Sequence, residues 1–269
     1  MTAPVVTFLS DYGEGSEFPG ICRGVIARMC PDARLIDITH GIARHDVRQG
    51  ALVLRNALPY MPPGVHLAVV DPQVGSERRA AAVRCADGRL LVGPDNGLLS
   101  LASAEAGGAV EAADISRSKH RLEPVSATFH GRDVFAPVAA ALASGDALGE
   151  AGDPIDVEEL AMLELPRPRR EGDTIVAHAL LLDVYGNVTL DMTHADLAGS
   201  GLSYGRAVEV SAGARSRRAT FTGTFADVPA GEMLVYEDAS RTLALAVNRG
   251  DAATTLGIGL DAEVRLTPL

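Results

Sequence analysis

"RLIDITHGIARHDVRQGALVLRNALPYMPPGVHLAVVDP" (residues 34–72) reads strand, helix, strand, and that order decides the fold. "RLIDITH" and "VHLAVVDP" are short apolar runs that end in polar residues. Between them Asp46 stands where a helix N-cap belongs, ahead of Val47, Ala51, Leu54 and Leu58 on one helical face. Strands joined through a helix pair in parallel, since a tight hairpin joins only antiparallel ones. Outward from this unit the pattern repeats. "PVVTFLS" (4–10) is a strand that runs into the glycine turn "DYGEG". "FPGICRGVIARMCPDA" (18–33) is a helix, with Pro19 near its start and Pro31 just past its end. "RLLVGPDNG" (89–97) is a fourth strand. "RDVFAPVAAALASG" (132–145) is a helix that Asp133 is expected to cap and Gly145 to end.

The expected fold is therefore an α/β N-terminal domain with a mostly parallel sheet over residues 1–162. "LELPRPRREGD" (163–173) reads as a linker. Over 174–269 the helical period disappears. "TIVAHALLLD", "AVEVSAG", "RATFTGTF", "MLVYED", "TLALAVN" and "AEVRLTP" are short β-type runs, the spacing of a small all-β barrel or sandwich.

Composition narrows the function. Twenty-four basic and 35 acidic residues leave a net charge of −11, which argues against a nucleic-acid or anionic-membrane partner. Lys119 is the only lysine, which argues against a phosphate-loop or Schiff-base lysine. Cys22, Cys30 and Cys85 form no C-x-x-C pair and suit reduced thiols in a cytoplasmic protein. The opening "MTAPVVTFLSDYGEG" lacks the basic start and long apolar run of a signal peptide. No run approaches the roughly 18 apolar residues of a membrane helix.

In open α/β sheets ligands bind beyond the carboxyl ends of the strands. Those ends carry Asp11, then Asp37 and His40, then Asp71, then Asp95 and Asn96. "FHGRDVF" (129–135) adds His130 and Gly131 at the start of the last helix. Asp37 and His40 suggest a metal at first sight, but without H-x-x-x-H spacing they read equally as loop supports. No G-x-S-x-G is present, and "DYGEGS" is only a fragment of a dinucleotide fingerprint.

Seven blocks in order resemble the S-adenosylmethionine hydroxide adenosyltransferases, relatives of the fluorinase and chlorinase. They are "SDYG" (10–13), "DITHGI" (37–42), "VVDPQVGSERRA" (69–80), "LLVGPDNGLL" (90–99), "TFHGRDVFAPVA" (128–139), "LLDVYGN" (181–187) and "DVPAGE…ASRTLALAVN" (227–248). The resemblance implies hydrolysis of S-adenosylmethionine to adenosine and methionine, with Asp71, Arg78 and His130 activating water. It implies Asp11 at the ribose, Asn96 and Gly131 lining the substrate, Asp183 at the methionine ammonium, Asn187 at the adenine edge and Phe225 beside the adenine. It further implies an N-terminal α/β domain with a smaller C-terminal all-β barrel domain, and a homotrimer with substrate between the first domain of one chain and the second domain of its neighbour. Displacing a neutral thioether asks for no metal, and no cofactor is expected. The halogenases have tyrosine where Asp71 stands, and the fluorinase has serine at Gly131. This chain departs from the family at Ser16, Asp238 and Ala239, which puts the contacts to the methionine end in question. A halogenase and a non-catalytic S-adenosylmethionine or adenosine binder are the alternative readings.

Overall fold

The computed structural model describes residues 3–269, so the first two positions of the domain read from residue 1 lie outside it. The first strand, β1 (Val5–Ser10), is buried from its second residue onward. The chain continues through α1 (Glu17–Met29), β2 (Arg34–Thr39), α2 (Val47–Ala57), β3 (Val65–Val69), β4 (Ala80–Cys85), β5 (Leu90–Pro94), α3 (Ser100–Glu105), β6 (Ala109–Asp114), α4 (Ala136–Ala143), α5 (Leu148–Ala151) and β7 (Asp153–Ile155). Asp46 caps α2 as expected, its carboxylate accepting from Gln49 N–H at 2.8 Å.

The strands lie in the order β2-β1-β3-β5-β4-β6-β7. The four strands read from the sequence are parallel to one another. The sequence reading missed β4, which runs antiparallel to both β5 and β6. Its "AAAVRC" has three alanines and no alternation, so neither β propensity nor period marks it. Strand side chains alternate between faces. Phe8 therefore joins Ile26 of α1 and Val138 of α4 in one core, while Leu9 joins Leu54 of α2 and Ala102 of α3 in the other. Helices on both faces bury the sheet, as a parallel sheet requires.

The chain divides into two compact units between Leu163 and Glu164. The linker expected over 163–173 is shorter than its composition suggested. Leu163 N–H donates to Ser100 Oγ at 3.1 Å, and its side chain packs on the first unit's core. Arg169–Glu171 forms β8, which pairs with the next strand. The second unit comprises β8, β9 (Thr174–Leu182), β10 (Val188–Thr193), β11 (Ala207–Ala212), β12 (Arg215–Phe221), β13 (Met233–Glu237), β14 (Thr242–Val247), the short helix α6 (Ala252–Leu256) and β15 (Glu263–Pro268). Seven of these strands close in the ring β10-β14-β13-β12-β11-β15-β9, because β9 also pairs back onto β10. Val188, Val208, Val235, Leu245 and Leu266 fill the interior, so the barrel is a packed core.

His66 of β3 is fully buried opposite Thr7 of β1, with Nδ1 2.9 Å from Thr7 Oγ1. Its Nε2 has no hydrogen-bond partner. Burial, and then the Arg89 guanidinium, push its pKa down to about 4. The folded chain thus holds His66 neutral while an unfolded one protonates it near pH 6.5. Its stabilising contribution is complete above that pH and falls away as the pH drops toward 4. We expect this group alone to cost about 2 kcal/mol of stability between pH 7 and pH 5. Chemical denaturation of the wild-type chain and the His66→Gln variant at both pH values checks it: the variant should lose less stability on acidification.

Candidate active site

The register of the two central strands builds the site. Ser10 lies opposite Val69, so β1 and β3 deliver Asp11 and Asp71 side by side at their carboxyl ends. The turn after β1 is fastened to the end of β2. Ser10 Oγ contacts His40 Nδ1 at 2.8 Å and accepts from Tyr12 N–H at 3.3 Å. Gly13 N–H donates to the His40 carbonyl at 2.8 Å, and Glu14 Oε1 accepts from His40 N–H at 2.8 Å. Asp37 pairs with Arg23 at 2.5 Å and approaches His40 Nε2 at 3.3 Å. His40 thus supports the loop through Nδ1 and its backbone, while its Nε2 makes no hydrogen bond, and Asp37 is paired with Arg23. Among the described residues no group of three or more His, Cys, Asp or Glu side chains could hold a metal.

The antiparallel strand brings in the third group. Ala80 lies opposite Pro94, so β4 begins at the edge where β5 ends. Arg78, two residues earlier, consequently returns to the edge that Asp71 has just left. Its Nε donates to Asp71 Oδ1 at 2.9 Å, and its Nη2 reaches Asp71 Oδ2. The same Nη2 lies 3.0 Å from His130 Nδ1, and the guanidinium lies over the Phe135 ring at 5.1 Å from its centroid. The pair is nearly dry, with side-chain exposure of 5% for Arg78 and 6% for Asp71. A guanidinium has no lone pair to offer, so His130 Nδ1 must be the acceptor and its proton must sit on Nε2. Burial, then the Arg78 charge, holds the imidazole pKa below its usual value, in keeping with that neutral form.

His130 opens a wide turn, Gly131–Phe135, in which Ala136 N–H reaches back five residues to the Gly131 carbonyl before α4 begins. Such widened turns recur at functional sites. The structure corrects the role expected of Asp133. It lies inside the turn, 2% exposed, and caps no helix. Backbone already helical at His130 leaves no free first-turn N–H beside it, so the carboxylate faces the preceding loop. There it accepts from Ser126 N–H at 2.8 Å and from Arg132 Nε at 2.6 Å.

Asp11, Asp71, His130 and Gly131 line one cleft of about 340 Å³, together with Tyr12, Phe18, Arg44, His45, Val74 and Thr128. The sequence reading did not pick out these last six residues. "SDYG" pointed at Tyr12, but no local signal marks the others. Asp11 Oδ2 accepts from His45 N–H at 2.9 Å. Asn96 does not line this cleft. Its amide donates to the Val70 carbonyl at 2.9 Å and accepts from Leu98 N–H at 3.2 Å. A second cleft near α3, about 200 Å³, is mostly apolar; its Asp95 is taken up by Arg79 and the Ala161 N–H. Ser16 caps α1 by accepting from Phe18 N–H at 3.2 Å.

In the second unit Asp183 and Asn187 stand on the turn between β9 and β10. Asp183 Oδ1 accepts from Tyr185 N–H at 2.8 Å and Asn187 N–H at 2.9 Å, and Asn187 Nδ2 donates to Asp183 Oδ2 at 2.8 Å. Val184 and Tyr185 at the tip are 94% and 75% exposed. Phe225, half-exposed, lies 5.0 Å from the Tyr236 ring. Asp238 accepts from Ser240 N–H and Thr242 N–H in its own turn, next to the exposed Ala239.

Residues 6–152 match the model of the SAM hydroxide adenosyltransferase N-terminal domain, and residues 177–265 match that of the C-terminal domain. A Salinispora tropica protein named (R)-S-adenosyl-L-methionine hydrolase is 45% identical, covering 98% of each chain. A fluorinase of Nocardia brasiliensis is 26% identical over 98% of this chain and 97% of its own. The crystal structure of an uncharacterized conserved protein from Thermotoga maritima superposes with a TM-score of 0.90 at 33% identity, covering 97% of this chain and 99% of that one.

The loop that carries His130 depends on Asp133. Removing the carboxylate in Asp133→Ala leaves the Ser126 N–H without its acceptor, so we expect a loss of about 1–3 kcal/mol. Thermal or denaturant unfolding of the variant measures it. An unchanged midpoint would show that Asp133 holds nothing.

Proposed function

The chain belongs to the SAM hydroxide adenosyltransferase family, and on that premise we propose that it hydrolyses S-adenosyl-L-methionine to adenosine and L-methionine. The observation that carries the reading is the buried Asp71–Arg78–His130 chain at the wall of the cleft. Tyrosine at position 71 would mark a halogenase, whereas this chain has a carboxylate there.

The chemistry asks for little beyond these groups. Ribose C5′ is bonded to a sulfonium, and displacement releases methionine as a neutral thioether. The leaving group needs no proton, and we propose that neither metal nor cofactor takes part. The difficulty is water, a poor nucleophile. His130 Nε2–H, the free donor of the ring, orients the water oxygen. With the Nδ1 lone pair engaged by Arg78, we assign the proton to Asp71, while Arg78 balances the charge in a dry setting. Asp11 meets the ribose hydroxyls and Gly131 lines the nucleophile end.

We also read the assembly as a homotrimer, in which Asp183, Asn187 and Phe225 of one chain complete the cleft of another at the methionine and adenine ends. Exposed Val184, Tyr185 and Phe225 around those polar groups support this. A solution mass measurement should give three chains, and a fully active monomer would refute the assembly. Free, buried Cys22, Cys30 and Cys85 go with a cytoplasmic setting. Among the described residues no helix is long and apolar enough to cross a membrane.

The direct experiment is incubation with S-adenosylmethionine and chloride, with and without EDTA. We expect adenosine and methionine at equal rates with and without EDTA. A 5′-chloro product would favour the halogenase, and ligand recovered unchanged would favour a binding protein. His130→Ala should lower kcat by about 10²–10⁴-fold with little change in KM. His130→Gln keeps one acceptor and one donor, so its loss should be clearly smaller. Equal losses would make His130 the base. Because the folded pKa of His130 is lowered, kcat/KM should hold as the pH falls to about 6.5 and decline only below it.

A further inference from the structure

Tyr12 follows Asp11 out of β1 into the same cleft, and the proposed reaction gives it no role. Its ring is wedged by three others. Phe8 and Phe129 meet it edge-on with centroids at 6.4 and 5.8 Å, and Phe18 lies tilted at 5.7 Å. Three aromatic contacts thus position the ring. Its hydroxyl closes on Gly131: a Cβ placed there would lie 2.1 Å from the Tyr12 oxygen, 3.0 Å from Cζ and 3.2 Å from Cε2. Gly131 does not have a positive φ, so its backbone makes no demand for glycine. The neighbour makes it: Tyr12 occupies the volume that any side chain at 131 would fill. His130 and Asp71 line the same cleft, and the proposed reaction places the attacking water beside them. Burial first, then the neighbouring Asp11 and Asp71 carboxylates, raises the phenol pKa well above its usual value. Tyr12 is therefore a neutral wall.

We propose that Tyr12 is a specificity-determining residue that sizes the nucleophile end of the cleft to a water molecule. The proposal rests on the hydrolase reading and deepens it. Gly131 is the complementary half of the pair, and its missing side chain gives the hydroxyl its place.

Methanol probes this space, because it differs from water chiefly by one methyl group. In the competing reaction methanol oxygen bonds to C5′ and its proton goes to the group that takes water's. The C5′–S bond breaks with its electron pair on sulfur, so methionine leaves and 5′-O-methyladenosine remains. At a fixed methanol fraction the wild-type chain should form almost only adenosine. Tyr12→Phe, and more strongly Tyr12→Leu, should raise the methyl ether to adenosine ratio by about tenfold or more, the usual discrimination for one methyl group in a fitted pocket. A ratio unchanged in both variants overturns the proposal.

A melting cycle tests the contact without using activity. Gly131→Ala should lower the melting temperature in the otherwise wild-type chain and lower it less in the Tyr12→Phe background. Additive effects overturn the contact. If the wild-type chain makes no adenosine, the hydrolase reading fails and with it the role given to Tyr12. The melting cycle would still decide separately whether Tyr12 fills the space at Gly131.

Discussion

A guanidinium withdrawn from water is the constraint on which the site depends. An unpaired buried charge is prohibitively costly, so Arg78 must be met by groups of opposite charge or by lone pairs. Asp71 meets it through two nitrogens, His130 offers a ring lone pair, and the Phe135 ring lies beneath. Each contact also fixes the partner. Arg78 selects the imidazole tautomer, holds Asp71 in one orientation and ties the loop after β3 to the turn before α4. The element that solves a desolvation problem is thus the one that preorganises the proposed water site.

That arrangement rests on the sheet. Asp71 comes from a parallel strand, and Arg78 from the start of the antiparallel strand two places along. Had β4 run parallel, Arg78 would have entered it from the opposite edge, a full strand length away. β6 pairs antiparallel to β4, so Asp114 ends level with Ala81 at the same edge. The chain from 115 to 130 therefore starts beside the site and brings His130 to it. One reversed strand accounts for both meetings.

Support behind the site follows the same economy. Asp133 is the carboxylate of the turn that touches no part of the cleft, yet it ties the loop at Ser126 to the residues just after His130. His40 and Asp37 do similar work for the turn that carries Asp11 and Tyr12. These residues brace the segments around the site, and none of them lines the cleft itself.

Much of this was legible in the chain itself. Period and capping predicted α1, α2 and the four parallel strands, because apolar spacing and Asp46 act locally. Strand-end placement predicted that Asp11 and Asp71 would share an edge, since a parallel sheet leaves no other outcome. The all-β second domain was legible from its short runs, although its closure into a barrel through β9 and β10 was not. What the sequence could not reveal depends on pairing. The alanines of β4 carry no period, so its direction, and with it the meeting of Arg78 with Asp71, follows only from its partners in the sheet. Asp133 looks like a helix cap until the wide turn before α4 directs it to Ser126. Gly131 looks like a turn glycine until Tyr12, 119 positions earlier in the chain, is seen to occupy the space of its side chain. Local propensity is written in neighbouring residues; the direction of a strand and the filling of a volume are properties of segments that meet only in the folded chain.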